Sequence, residues 1–135
     1  MVQYRRRKQD WSPRGSGDPI WPKFVDSYLE TAIWASVDEN GRSLDRDYDA
    51  RDFAEEDVRR AVEESNDFIL ANREDLELVG DESMHGHDFW LTRNGHGAGF
   101  FDRGYGEAGD HLTASARAFR EVMVYVGDDG ALHFE

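Results

Sequence analysis

The chain has 135 residues, no cysteine and a formal net charge of −13, so it reads as one domain with neither disulfides nor thiol chemistry. No apolar run approaches the roughly 20 residues that a membrane helix requires, and the basic start is followed by no apolar stretch of the kind a secretory signal needs. Residues 1–23 hold six Lys/Arg against two Asp/Glu, and residues 24–135 hold ten against 27, so the body is strongly acidic. Such a body repels nucleic acid and favours basic partners, and it also keeps a protein soluble.

Residues 1–19 read as a disordered basic arm. They carry Arg5, Arg6, Arg7 and Lys8, then a Ser/Pro/Gly-rich run that buries too little apolar surface to order itself. Four such cations can touch phosphates or remain solvated. Residues 20–135 read as a single domain. Its first helix is expected over Trp21–Val37, with Pro22 early and an apolar stripe through Phe24/Val25, Tyr28/Leu29 and Ala32/Ile33. Trp34 falls off this stripe, where it either widens the buried face or stands exposed as a contact. Asp45, Asp47 and Asp49 alternate like the start of a calcium loop, but Ala50 stands where that loop needs its Gly.

Asp52 is expected to cap a second helix, with Glu55 completing a capping box. Its inward stripe is Val58, Ala61/Val62, Ser65, Phe68/Ile69, Asn72 and Leu76. Its outer face and first turn carry Glu55, Glu56, Asp57, Glu63, Glu64 and Asp67. Strands are expected over Asp88–Arg93 and Ala98–Asp102, joined through Asn94-Gly95, a strong hairpin dipeptide. A third helix over Leu112–Arg120, capped by Asp110, follows. Strands over Glu121–Val126 and Ala131–Phe134 flank the Gly127–Gly130 turn. The order α-α-β-β-α-β-β implies an α+β fold with a small antiparallel four-stranded sheet covered by helices.

The densest chemistry lies between His87 and Tyr105, where Gly and aromatic residues surround Asp88, Arg93, Asn94, His96, Asp102 and Arg103. Three readings compete. In the catalytic one, His96 is a general acid or base. Arg93 or Arg103 then grips a phosphate or carboxylate, and Asp88 or Asp102 orients the His. No established catalytic spacing is present. A metal reading uses His85, His87 and Asp88 with His96 or His111, but it matches no standard site, so no metal or cofactor is expected. In the structural reading, Arg93–Asp102 or Arg103–Asp88 pair across strands and Asn94 holds the turn.

The block Gly86–Gly104, G-H-D-F-W-L-T-R-N-G-H-G-A-G-F-F-D-R-G, resembles the signature of an uncharacterised family of small bacteriophage- and prophage-encoded proteins. The likeness extends to Tyr28–Ser36, Leu44-Asp45, Tyr48, Gly109-Asp110, Leu112-Thr113 and Tyr125–Gly130. Phe101 stands where the family more often has Trp. The resemblance implies a phage origin and the host cytoplasm, and it brings no catalytic or ligand-binding residues with it.

The expectation is therefore a small acidic protein that binds a host or phage protein, as an inhibitor of a host enzyme or defence system or as a DNA mimic would. Its contact surface would be the acidic helix (Glu55, Glu56, Glu63, Glu64) or the central hairpin (Asp88, Trp90, Arg93, Asn94, His96, Arg103). One alternative is a small enzyme acting on a phosphate-containing or nucleotide substrate through His96, Arg93, Asp102 and Arg103. Another is a nucleic-acid-associated protein using its basic arm.

Overall fold

A computed structural model of the protein describes residues 18–96 and 99–135. The basic tetrad Arg5–Lys8, and the arm as far as residue 17, lie outside the described residues, as do positions 97 and 98 of the central block. The body begins where Asn66 takes the backbone on both sides of buried Pro19. Its amide donates to the Asp18 carbonyl at 3.3 Å and accepts from the Ile20 N–H at 2.9 Å.

The described chain is mostly helical. Helices α1 (Pro22–Trp34), α2 (Glu55–Leu78), α3 (Glu82–Arg93) and α4 (Glu107–Arg117) are followed by strands β1 (Val124–Val126) and β2 (Leu132–Phe134). The strands form one antiparallel pair in the register Val124↔Phe134, Tyr125↔His133, Val126↔Leu132. The expected four-stranded sheet is therefore corrected to a two-stranded one. Phe53 adds an isolated parallel bridge to Leu132 on the far edge of β2.

The central block causes the correction. Asp88–Arg93 is the second half of α3 rather than a strand, and Phe100–Arg103 is a 3-10 turn. Asn94-Gly95 does not turn a hairpin but ends the helix. The Gly95 N–H bonds the Thr92 carbonyl at 3.1 Å and the His96 N–H bonds the Leu91 carbonyl at 2.9 Å, with Gly95 at φ +75°. This is the 5→2 and 6→1 pattern of a Schellman cap, and it requires a left-handed residue at the position Gly95 fills. From Asp88 to Arg93 every residue of α3 is buried, so no amphipathic period marks it as a helix.

Smaller corrections follow. Helix α2 opens at Glu55 after Ala54, not at Asp52. Asp52 instead belongs to a 3-10 turn in which Asp49 and Asp52 cap one another. Helix α4 starts at Glu107 behind Gly106, so Asp110 lies inside its first turn rather than at its cap. The expected α2 stripe is buried throughout. Asn72 leaves helical geometry there (φ −128°, ψ 18°). Its amide donates to the Phe68 carbonyl at 2.9 Å and to Ser115 of α4 at 2.7 Å, which ties the kink to the neighbouring helix.

The core is aromatic. Phe68 and Phe89 stack at 4.3 Å between centroids, Tyr28 stacks on Phe89 at 5.3 Å, and Phe53 stacks on Phe134 at 4.7 Å. Such pairs add roughly 0.5–1.5 kcal/mol each beyond their buried area. Helices α1 and α3 form the most extensive helix contact. A Cβ at Gly86 would collide with the Phe24 carbonyl oxygen, so glycine is what lets these two backbones touch.

Candidate functional site

Residues 28–34 lie on α1, and residues 86–93 of the central block lie on α3. They thus meet across one interface. Their polar residues divide into a buried set and an exposed set.

Arg93 and Asp88 of the buried set are held by partners within the fold. Arg93 is 3% exposed. Its Nη1 donates to the Glu64 carboxylate at 2.7 Å and to the Tyr28 hydroxyl at 3.0 Å. Its Nε donates to the Arg120 carbonyl at 2.8 Å and its Nη2 to the Phe119 carbonyl at 2.8 Å. The guanidinium also lies 5.7 Å from the ring centroids of Phe89 and Phe119. One side chain thus joins α1, α2, α3 and the turn that follows α4. Burial pushes the Tyr28 hydroxyl up, with Arg93 opposing, so the phenol stays protonated.

Asp88 is fully buried and takes a two-pronged bond from Arg103, Nη2 to Oδ1 at 2.8 Å and Nε to Oδ2 at 3.0 Å. The hydrogen bond to Asp88 raises the Arg103 guanidinium still further above its ordinary range. This pair is present, but it joins helix to 3-10 turn rather than strand to strand. Arg93 pairs with Glu64, not with Asp102. The Asn94 side chain donates to the Trp90 carbonyl at 2.9 Å and accepts the Val122 N–H at 2.8 Å, holding the chain that leads to β1. Trp90 is buried against Tyr28 and Phe134.

His96 and Asp102 are exposed. The four residues of the catalytic reading are therefore not brought into one pocket. Arg93 is sealed inside, Arg103 is committed to Asp88, and His96 and Asp102 stand on the surface.

A groove does open where α1 and α3 run side by side, with a volume of about 630 Å³. Trp34 is 59% exposed at its end, and its ring lies 6.1 Å from that of His87. Thr31 shares a hydrogen bond with His87 Nδ1 at 2.9 Å. The Ser27 hydroxyl donates to the Ser83 carbonyl and ties the two walls together. Among the described residues, Asp26, Glu30, Asp81 and Lys23 line the groove, with Met84 adding apolar surface. The signal for this site in the sequence was Trp34, the one aromatic off the α1 stripe.

The acidic face of α2 is interleaved with arginines. Glu55 lies 3.8 Å from Arg59, Glu64 lies 3.7 Å from Arg60, and Glu77 lies 3.3 Å from Arg73. Glu63 and Glu56 are exposed. Glu56, Asp57 and His133 place ligand atoms within 4.8 Å of one another. Both His133 nitrogens already face carboxylates, Nδ1 to Asp57 at 2.7 Å and Nε2 to Asp129 at 3.0 Å. A cation would therefore have to displace a proton there. Burial pulls the His133 imidazole down, but Asp129 and Asp57 outweigh it and the net shift is upward. Asp129 is held below its ordinary range by the Ala131 N–H and then by His133. Of the calcium-like run, Asp49 is engaged by Arg51 at 2.7 Å and Asp45 by the Ser43 hydroxyl at 2.7 Å.

Among the described residues, no helix is long and apolar enough to cross a membrane. Comparison of the chain with protein-family models, with curated proteins and with solved structures finds no match.

Proposed function

We propose that this is a small acidic phage-type protein that works in the host cytoplasm by binding a basic protein of the host or the phage. Its contact would be the α1–α3 groove. The observation that carries this reading is Trp34, a largely exposed indole beside His87 in the α1–α3 groove. Exposed aromatic anchors dominate protein interfaces because they bury a large area with few rotamers to freeze. An exposed indole face suits a lysine or arginine side chain, which gains cation–π contact there. The burial of Arg93 and the two-pronged commitment of Arg103 to buried Asp88 favour this reading over an enzyme that grips phosphate with those residues.

The test is capture of partners from host lysate by wild type and by Trp34→Ala. The expected result is one basic protein, captured by wild type in a salt-sensitive manner and reduced roughly tenfold or more by the substitution, as for a hot-spot aromatic. Equal capture by both proteins would contradict the assignment.

A further inference from the structure

The second exposed apolar region lies at the opposite end of the sequence, on the β1–β2 hairpin. The Glu135 N–H donates to the Met123 carbonyl at 2.8 Å, and the Gly127 N–H donates to the Ala131 carbonyl at 2.8 Å. Inward-bonded residues alternate along an antiparallel strand. Met123, Tyr125 and Gly127 therefore turn their amides to β2, while Val124 and Val126 turn theirs outward. Among the described residues, no hydrogen bond reaches the outward N–H groups of Val124 or Val126. β2 is covered on its far edge by the Phe53 bridge and by the Ala54 N–H, which donates to Leu132 at 3.0 Å. β1 thus presents the unpaired edge of the sheet.

This edge borders a groove of about 720 Å³ whose other wall is the turn around Val37–Asn40. Met123, Val37 and Tyr125 are 66%, 59% and 47% exposed. Its rim carries Asp38, Glu39 and Asp128, and among the described residues no Lys or Arg lines it. We infer that the β1 edge receives an extended, basic peptide segment of a partner protein, which adds to the sheet as a third strand. Main-chain bonds to Val124 and Val126 would supply the pairing, the exposed apolar side chains would hold alternate residues, and the carboxylates would select Lys or Arg on the others. A second copy of this chain is the poorer occupant, because its own acidic rim and its net charge of −13 would be repeated across the interface. The site is separate from Trp34, so it stands or falls independently of the α1–α3 reading.

The probe is a fluorescein-labelled peptide of alternating Lys and Val, titrated by anisotropy against wild type, Trp34→Ala, Val126→Pro and the triple change Asp38→Asn/Glu39→Gln/Asp128→Asn. Proline removes only an outward N–H, which edge strands tolerate. Wild type and Trp34→Ala are expected to bind alike. Val126→Pro should weaken binding by up to roughly tenfold, the scale of one hydrogen bond, and the triple change should weaken it and flatten its salt dependence. The Val124 and Val126 amides, rather than that of Tyr125, should gain hydrogen-exchange protection on binding. No binding to wild type, undiminished binding to folded Val126→Pro, or equal binding of an alternating Glu/Val peptide would overturn the proposal. So would a wild-type dimer that Val126→Pro returns to monomer. If Val126→Pro does not fold, the triple change and the exchange pattern decide, and undiminished binding to the triple change would also overturn it.

Discussion

The α3 block and the α1–α3 groove share one helix and treat its polar residues in opposite ways. On the inner side, Asp88 and Arg93 are almost wholly buried, and each is held by a charged partner with further hydrogen bonds around Arg93. On the outer side, His87 is half-buried beside the largely exposed indole of Trp34. A buried ion whose partner is already in place is a poor gripper of ligand, because freeing it would cost the desolvation its partner now offsets. The chemically rich motif is thus chiefly a clamp, and the surface beside it is what a partner can reach.

The sharpest way to break this contrast is to strand one of the clamped charges. Arg103→Ala leaves the Asp88 carboxylate buried without its guanidinium, and stability should fall by about 3–5 kcal/mol in urea unfolding. A change under about 1 kcal/mol would mean that the pair is not structural. Next in size is Gly86→Ala, which drives a methyl into the Phe24 carbonyl and must part α1 from α3. A loss of about 1–3 kcal/mol is expected, together with altered Trp34 fluorescence as the groove widens.

A subtler effect is set by pH. The folded state raises the His133 pKa above its ordinary 6.5. Its stabilising contribution is therefore complete below that value and fades as pH rises through the folded value. Wild type should lose stability from pH 6 to pH 8 relative to His133→Gln, as read from paired urea curves. Parallel curves would show that the Asp57–His133–Asp129 contacts do not hold the hairpin. The smallest effects belong to the exposed turn, where His96→Ala and Asp102→Asn should each stay within about 0.5 kcal/mol of wild type.

The sequence made the amphipathic elements legible. Helices α1 and α2 show one-sided stripes, and the closing hairpin shows its Gly127–Gly130 turn, so each lies close to its expected place. Helix α3 shows no such stripe, because its inner polar residues are neutralised by partners distant in sequence. Glu64 reaches Arg93 from α2, and Arg103 reaches Asp88 from beyond the turn. Those partners turn charged positions into core positions and erase the period that a helix should show. Asn94-Gly95 carries the same ambiguity, since the left-handed residue that closes a hairpin also closes a Schellman cap. The groove was legible only in part. Trp34 stood out by falling off the α1 stripe, whereas its neighbour His87 belongs to a helix that periodicity did not reveal.

On the proposed reading, partner binding runs through the α1–α3 groove and not through the glycine-rich turn. The direct measurement is quantitative capture of the same partner by two folded variants, Trp34→Ala/His87→Ala and His96→Ala/Asp102→Asn. Loss in the first with retention in the second is the predicted result. Retention in the first with loss in the second would contradict the account and move the functional surface to the turn.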